Sequence, residues 1–580
     1  MEAQYPYQDA GLSVHQRVED LLSRMPLADK VGLMFHTIAV PADVDAVVPL
    51  FGERSLRSLV DKGLRHFNVL GSLPDGRSFA QWHNSVQSAA LRHPLGIPVT
   101  FSSDPRHHFG DNPLTQMMAG PFSLWPEPLG LAAIGSADRV REFADIVRQE
   151  YLAVGIRVAL HPQLDVATEP RWSRINTTFG EDAELTSRLG VAYVDGLQGA
   201  RLGADSVAAM VKHFPGGGPQ LDGNDPHFGW GREQVYPGDN AAYHLRPFRA
   251  ALDAGAAEVM PYYGMPVGTD WDEVGFGFNK SVITGLLRDE LGFDGIVCTD
   301  WGLVSDHPDL GDLGVARAWG VEHLGPADRA LRVIEAGADQ FGGEDCTEVL
   351  LGLVRDGRVS ESRIDESVRR LLRVTFTLGL FEHPFVDEEA ASITLGRSDF
   401  RDAGLAAQRD SLTLLTNTGL LPLARGAKVF APQISAAALE GHATRVDDPA
   451  AADVAVLRIK APYEPRTEGM AALFHHGSLE FAAEEVRRIR AVCAAVPTVI
   501  DVYLDRPAVL TPLAGAAAAL IANFGVSERA LIAVLFGAAE PRGTLPFDLP
   551  RSDAAVAASR TDVAFDTADP LFRFGHGLRY

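Results

Sequence analysis

Short apolar runs that stop on a polar side chain recur along the first 350 or so residues of this chain. They limit the fold more than any other feature. Gly295-Ile296-Val297-Cys298-Thr299 ends at Asp300, followed at once by Trp301 and Gly302. Val99-Thr100-Phe101 leads to Asp104, Val207 to Val211 leads to Lys212 and His213, and Glu258-Val259-Met260 leads to Tyr262 and Tyr263. Runs of this kind read as strands buried on both faces. A carboxylate at the lip of such a strand is costly, because desolvation opposes its charged form. Several strand ends that each carry a polar group imply one shared site on one face of a barrel.

The order of elements agrees with this. Strand-like segments fall at 66–70, 99–102, 155–160, 207–211, 257–260, 295–298 and 336–341, with helical segments at 138–152, 184–202, 243–254 and 281–291. Sustained alternation of this sort favours a (β/α)8-like TIM barrel, here residues 1–380, over a doubly wound sheet. The Gly- and Pro-rich stretch Pro215–Tyr236 is too long for a simple connection and reads as an active-site loop. Residues 381–400 contain Pro384 and clustered acids without a period, so they read as an interdomain linker. Residues 401–548 alternate again on a smaller scale and predict an α/β sandwich domain, with strands at 411–415, 429–431, 454–459, 498–504 and 517–522 and a helix over 479–496. A C-terminal tail, 549–580, is expected to pack on both domains.

The formal net charge of −24 argues against nucleic acid and anionic membrane partners and suits a neutral ligand. Cys298, Cys346 and Cys493 are scattered and lack metal-ligand spacing, so they read as free thiols in a reducing cytoplasm. The opening Met1-Glu2-Ala3-Gln4-Tyr5 has no basic or apolar leader pattern, which makes a cytoplasmic location the expectation.

The chain resembles glycoside hydrolase family 3, the retaining exo-β-glycosidases. The resemblance rests on Pro170-Arg171-Trp172-Ser173-Arg174, Phe179-Gly180-Glu181-Asp182, Lys212-His213-Phe214, and Leu287 to Gly295 ahead of Asp300-Trp301. It continues in Arg409 to Asn417, Leu421-Pro422-Leu423, and Pro570 to Leu578. Each piece is weak alone; together, in this order, they are specific. The resemblance implies a barrel joined to an α/β sandwich with the active site at their interface.

It also implies a retaining mechanism, which needs a carboxylate nucleophile and a second group that acts as acid and then as base. Asp300 takes the nucleophile position, with Lys212, Arg171 and His213 as cations that hold its pKa down. Asp104 resembles the family's sugar-binding aspartate, and Arg171, Lys212 and His213 would complete the pocket, with Trp301 and Tyr263 as ring faces for the sugar. Glu181 and Asp182 are expected to orient Arg171 or to pair with it, while Asp339 and Glu344 read as structural. For the acid/base, the loop after the strand at 454–459 offers Glu468, followed by Gly469, and Glu464. The hexosaminidase subgroup uses a His in Lys-His-Phe-Pro-Gly-His-Gly, but Gly217 stands at that position here. Asp225 and His227 lie out of that register and read first as loop-stabilising groups, with an acid/base role as the alternative. His475, His476 and Glu480 read as loop residues near the leaving group rather than as metal ligands.

The expected activity is therefore hydrolysis of a terminal β-linked glucose from a small β-glucoside or oligosaccharide through a covalent glycosyl-enzyme. No metal or organic cofactor is required. A transglycosylase or phosphorylase, a β-xylosidase or β-N-acetylhexosaminidase specificity, and a non-catalytic sugar-binding protein are the alternatives. Homo-oligomerisation is left open.

Overall fold

The structure is a computed structural model that describes residues 5–49, 53–110, 112–308, 311, 314–467 and 469–580. Eight strands form its first sheet: β1 (Phe35–Ala39), β2 (His66–Val69), β3 (Thr100–Ser103), β4 (Ile156–Ala159), β5 (Ala208–Phe214), β6 (Glu258–Pro261), β7 (Ile296–Val297) and β8 (Phe341–Gly342). All pair in parallel and in chain order from β1 to β7, and β8 pairs with β1. A parallel bridge between Cys298 and Gln340 closes the ring. There the Thr299 N–H donates to the Gln340 carbonyl at 2.9 Å and the Gln340 N–H to the Val297 carbonyl at 3.1 Å. The sheet is thus a closed parallel barrel, with its polar strand ends on one face.

Local sequence explains the elements between the strands. The Ser136 hydroxyl caps helix Ala137–Val154 by accepting from the Arg139 N–H, and Gly155 ends the helix in the left-handed region at φ +83°. A Cβ at Gly155 would lie 2.2 Å from the His83 ring, so the position demands glycine twice over.

Three expectations are corrected. Strand β1, in the run Met34 to Ala39, was not anticipated, and it is the strand that makes the barrel eight-stranded. The segment 336–341 begins with the last residue of helix Pro326–Ala336 and its Gly337 cap, and strand pairing starts only at the Gln340 bridge, so that β8 is only Phe341–Gly342. The segment 381–400 is not an irregular linker: helix Glu388–Thr394 occupies it and packs on helix Gly76–Ala90. Its acids hid the pattern because they belong to the helix start. Asp387 caps the Ala390 N–H, and Glu388 and Glu389 sit in the first turn, where the helix dipole favours negative charge.

The second domain is a six-stranded sheet of β9 (Thr413–Asn417), β10 (Lys428–Phe430), β11 (Thr444–Val446), β12 (Val454–Lys460), β13 (Thr498–Tyr503) and β14 (Ala519–Asn523). Its order is β9-β14-β13-β12-β10-β11, with only β9 antiparallel to its neighbour. The tail touches both domains. The Leu578 N–H bonds the Leu414 carbonyl at 2.7 Å, and the Asp562 carboxylate accepts from Gly238 N–H at 2.7 Å and Asn240 N–H at 2.9 Å.

One buried arginine fastens the sandwich loops to the barrel. Arg506 is 1% exposed and donates to the carbonyls of Pro462 (2.7 Å), His476 (3.0 Å), Gly477 (3.2 Å), Ser478 (3.2 Å) and, across the domain boundary, Arg171 (3.0 Å). An Arg506→Met substitution strands several of these acceptors. It is expected to destabilise the protein by at least about 3 kcal/mol, visible as a lower thermal midpoint, whereas a substitution at an exposed arginine such as Arg488 moves it little.

Candidate active site

Asp300 leaves β7 at the C-terminal face of the barrel and is 7% exposed. Its Oδ1 accepts from the Trp301 N–H at 2.8 Å, and its Oδ2 is buried without a hydrogen-bond partner. The Trp301 N–H is shared with the Tyr263 hydroxyl (2.9 Å), which in turn donates to the Trp301 carbonyl at 2.9 Å. The end of β6 and the end of β7 therefore hold one another. The Trp301 indole lies against Gly342 and Gly343 at the end of β8, where an added Cβ would approach its ring to 2.5 and 2.8 Å. Glycine at both places lets the ring sit at the barrel mouth.

The other strand ends converge on the same face. Lys212 Nζ pairs with Asp104 Oδ1 at 2.8 Å, and Asn68 Nδ2 donates to Asp104 Oδ2 at 3.0 Å, which joins β2, β3 and β5. His213 Nε2 is 3.9 Å from Asp300 Oδ2. Its Nδ1 faces Asp165 Oδ2 at 2.7 Å, and Arg174 Nη1 donates to its Nε2 at 3.0 Å. The ring is thus held neutral, with its proton on Nδ1. Burial first, then the charges of Arg174 and Lys212, drive the His213 pKa well below the usual histidine range.

Two assignments change. Arg171 was expected in the pocket, paired with Glu181 or Asp182. Instead its guanidinium is bound by Glu169 at 2.8 and 3.0 Å and faces Asp222 at 3.4 Å. Arg174, three residues on, is the arginine that reaches His213 and is 3% exposed. Glu181 accepts from the backbone N–H of Asp548 and of Phe565, so it serves the tail, and Asp182 caps helix Ala183–Gln198. The electrostatic expectation for Asp300 also shifts. Burial pushes its pKa above the ordinary value, and His227, Arg174 and Lys212 pull it back without cancelling that effect.

Asp225 and His227 enter the same cluster. His227 Nδ1 lies 2.6 Å from Asp225 Oδ1, and the Ser173 hydroxyl bonds Asp225 Oδ2 at 3.3 Å. Both residues are buried, and the His227 ring packs 4.7 Å from Tyr263 and 5.0 Å from Phe474. The His227 N–H also bonds Asp225 Oδ1 at 3.0 Å, an Asx turn around Pro226 that fixes the pair.

Of the loop acids, Glu468 lies outside the described residues. Glu464 is exposed, its N–H bonds the His476 carbonyl at 2.9 Å, and its carboxylate lies over Gly477, where an added Cβ would meet it at 2.4 Å. His475, His476 and Glu480 do not converge. His475 pairs with Asp505, whereas Glu480 accepts from the Asp553 N–H at 3.2 Å. Asp339 and Glu344 have structural partners: Asp339 is paired with Arg288 at 2.6 Å and Arg370 at 3.0 Å, and Glu344 accepts from the N–H groups of Val304 (2.7 Å) and Ser305 (3.0 Å). Among the described residues no group of side chains has the arrangement of a metal site.

A buried carboxylate with one open oxygen, ringed by Lys, Arg, His and a second carboxylate, suits nucleophilic attack on a polyhydroxylated ligand. The comparisons with known proteins agree. The Glycosyl hydrolase family 3 N terminal domain matches residues 63–374, and the Glycosyl hydrolase family 3 C-terminal domain matches residues 432–580. The chain belongs to glycoside hydrolase family 3. It is 49% identical to beta-glucosidase C of Emericella nidulans, over 99% of this chain and 94% of the relative. It is 40% identical to a periplasmic beta-glucosidase/beta-xylosidase of Dickeya chrysanthemi, over 99% and 91%. Among solved structures, a β-glucosidase from Erythrobacter marinus aligns with a TM-score of 0.81 at 23% identity, covering 100% of this chain and 84% of that one. The β-glucosidase from Listeria innocua in complex with isofagomine aligns at 0.76 and 24%, covering 97% and 83%. At such identities the structural likeness speaks for the fold, a barrel followed by an α/β sandwich. The family makes the chain a glycoside hydrolase.

The electrostatics of the cluster can be tested. Arg174→Met removes a cation that favours ionised Asp300 and disfavours protonated His213, so both pKa values rise. The acidic limb of kcat/KM on p-nitrophenyl β-glucoside is expected to move to higher pH by about one unit. The shift in the limb, rather than the fall in amplitude, is the measurement that matters.

Proposed function

We propose that this glycoside hydrolase is a retaining exo-β-glucosidase in which Asp300 is the nucleophile. The observation that carries the reading is the buried, unpartnered Oδ2 of Asp300 at the end of β7, facing His213 at 3.9 Å. Relatives named β-glucosidase at 48–49% identity over nearly the whole chain support glucose as the glycon. A small β-glucoside or oligosaccharide enters with its terminal sugar against the barrel mouth. Asp104 accepts from vicinal hydroxyls, while Lys212 and Arg174 hold the remaining oxygens, with His213 positioning Arg174 and Trp301 and Tyr263 beside the ring. Arg171 acts one layer out, through Glu169.

Asp300 attacks the anomeric carbon as the leaving oxygen takes a proton and departs from the opposite face, and water then attacks the glycosyl-enzyme from the face the leaving group vacated and displaces Asp300. For the proton donor the geometry favours His227. Its Nδ1 is committed to Asp225, which leaves Nε2 to give the proton to the leaving oxygen and later take one from water. Asp225 steadies the ring and its charged form, as a buried carboxylate does for a catalytic histidine. His227 is also the largest of the charges that lower the Asp300 pKa, which fits a position close to the nucleophile. A second reading assigns the proton to Glu464. It is favoured by the way Arg506 holds the Glu464 loop against the barrel residue Arg171.

Asp300→Asn is expected to lose at least about 10^4-fold in turnover of p-nitrophenyl β-glucoside. His227→Ala is expected to keep a burst of nitrophenolate, since this leaving group needs no protonation, and to lose about 10^2-fold or more in the steady state. Azide then restores the rate and yields β-glucosyl azide. Rescue of Glu464→Ala alone moves the acid/base to the sandwich loop, and a variant of Asp300 with wild-type activity ends the proposal.

A further inference from the structure

The Asp225-Pro226-His227 turn is a stiff unit. The Asp225 carboxylate accepts from the His227 backbone N–H and faces the His227 ring, and the pyrrolidine between them fixes φ. A unit of this kind moves as one body, so what holds it from outside decides where the imidazole stands. Two of the outside contacts are rings, Tyr263 at 4.7 Å and Phe474 at 5.0 Å. They keep the imidazole from swinging sideways, but dispersion contacts are shallow in distance and direction. The Ser173 hydroxyl reaches Asp225 at 3.3 Å, which is long for a hydrogen bond between oxygens.

The short, directional contact comes from Trp319. Its indole N–H donates to the Pro226 carbonyl at 2.8 Å, and the residue is 4% exposed. The indole also lies against Gly229, where an added Cβ would stand 3.5 Å from it. Trp319 is fixed in turn through its own backbone. Its carbonyl accepts from the Gly275 N–H at 2.9 Å. The next residue, Gly320, has φ +80°, and a Cβ there would stand 2.4 Å from the Glu273 carbonyl oxygen, so only glycine lets the two segments come this close. The same segment also returns to the end of β7. The Arg317 N–H bonds the carbonyl of Gly302, two residues past Asp300, at 2.9 Å. Trp319 thus links the point where Asp300 leaves the barrel to the turn that bears His227.

We propose that Trp319 is the positioning residue of the acid/base. Its N–H sets where the Asp225–His227 unit stands relative to Asp300, and with it the distance over which the proton passes to the leaving oxygen. The inference rests on the reading of the preceding subsection, in which His227 gives and later takes that proton. Trp319 acts through the Pro226 carbonyl and takes no part in bond making or breaking.

The test is the dependence of rate on the leaving group, since proton donation matters more as the leaving oxygen becomes more basic. Phenyl and p-nitrophenyl β-glucosides are similar in shape, but phenolate is much the stronger base. Trp319→Phe keeps a ring and removes the N–H. Its kcat/KM is expected to stay within about twofold of wild type on the nitrophenyl glucoside and to fall about tenfold on the phenyl glucoside. Azide is expected to raise kcat on the nitrophenyl glucoside in this variant, because an anion needs no base to attack the glycosyl-enzyme. Equal losses on both glucosides, the mark of a ring that only supports the fold, overturn the proposal, as does no loss on either. The double variant with His227→Ala is expected to lose no more on the phenyl glucoside than His227→Ala alone, and a further loss overturns the proposal too. Trp319→benzothienylalanine removes the N–H at constant ring size and gives the same readings if Trp319→Phe does not fold. His227→Ala separates the two failures. If it shows no preference between the leaving groups, the reading of the preceding subsection falls; if it shows one and Trp319→Phe does not, only the role of Trp319 falls.

Discussion

The barrel depends on a short seam. Strands β7 and β8 are each two residues long, and what joins them is the bridge at Cys298 and Gln340 with the bonds from Thr299 and Gln340 around it. Asp300 is the next residue along that seam, and Trp301 rests on the glycines at the far end of β8. Closure of the ring and placement of Asp300 are therefore one event. A parallel sheet left open here would carry Asp300 on an edge, in water, where its neighbours on β3 and β5 would not reach it.

Around the seam the protein trades hydration for fixed charges. Asp104, Asp165, Asp225 and Asp300 are all buried or nearly so, and each finds a cation, an imidazole or backbone N–H groups within reach. Asp165 shows the balance. Burial lifts its pKa to about 6, against the pull of the Gly217 N–H, Arg174 and the His213 N–H. Water is replaced by groups that do not need to reorient, which is the arrangement that stabilises developing charge at low cost.

Much of this was legible in the sequence, and the failures have physical causes. Apolar runs ending in Asp104, Lys212-His213, Tyr263 and Asp300 marked four strand ends, because burial on both faces leaves no alternative composition. Pro170-Arg171-Trp172-Ser173-Arg174 did not reveal which arginine turns inward, since the segment is irregular and has no period to assign faces. Only packing decides it: Trp172 is fully buried, and Arg174 goes in while Arg171 stays partly exposed against the buried Glu169. Asp225 and His227 were legible as loop-stabilising groups within a long loop. Their place beside Asp300 was not, because that depends on how the long loop folds back over the barrel. The helix at 388–394 was obscured by its own N-terminal acids.

The long loop folds back over the barrel only with help from far downstream. Its end, at Gly238 and Asn240, is tied by the Asp562 carboxylate, some 320 residues later in the chain. His244 reaches the same segment through the Asp562 carbonyl. During synthesis, which runs at about 5–20 residues per second, the barrel can close long before these ties exist. The loop that bears Asp225 and His227 would then wait, loosely held, for the ribosome to finish. Assembly of the Asp225–His227 pair is in this sense a late, non-local step, and a nascent barrel would carry Asp300 in place before the paired histidine was fixed beside it.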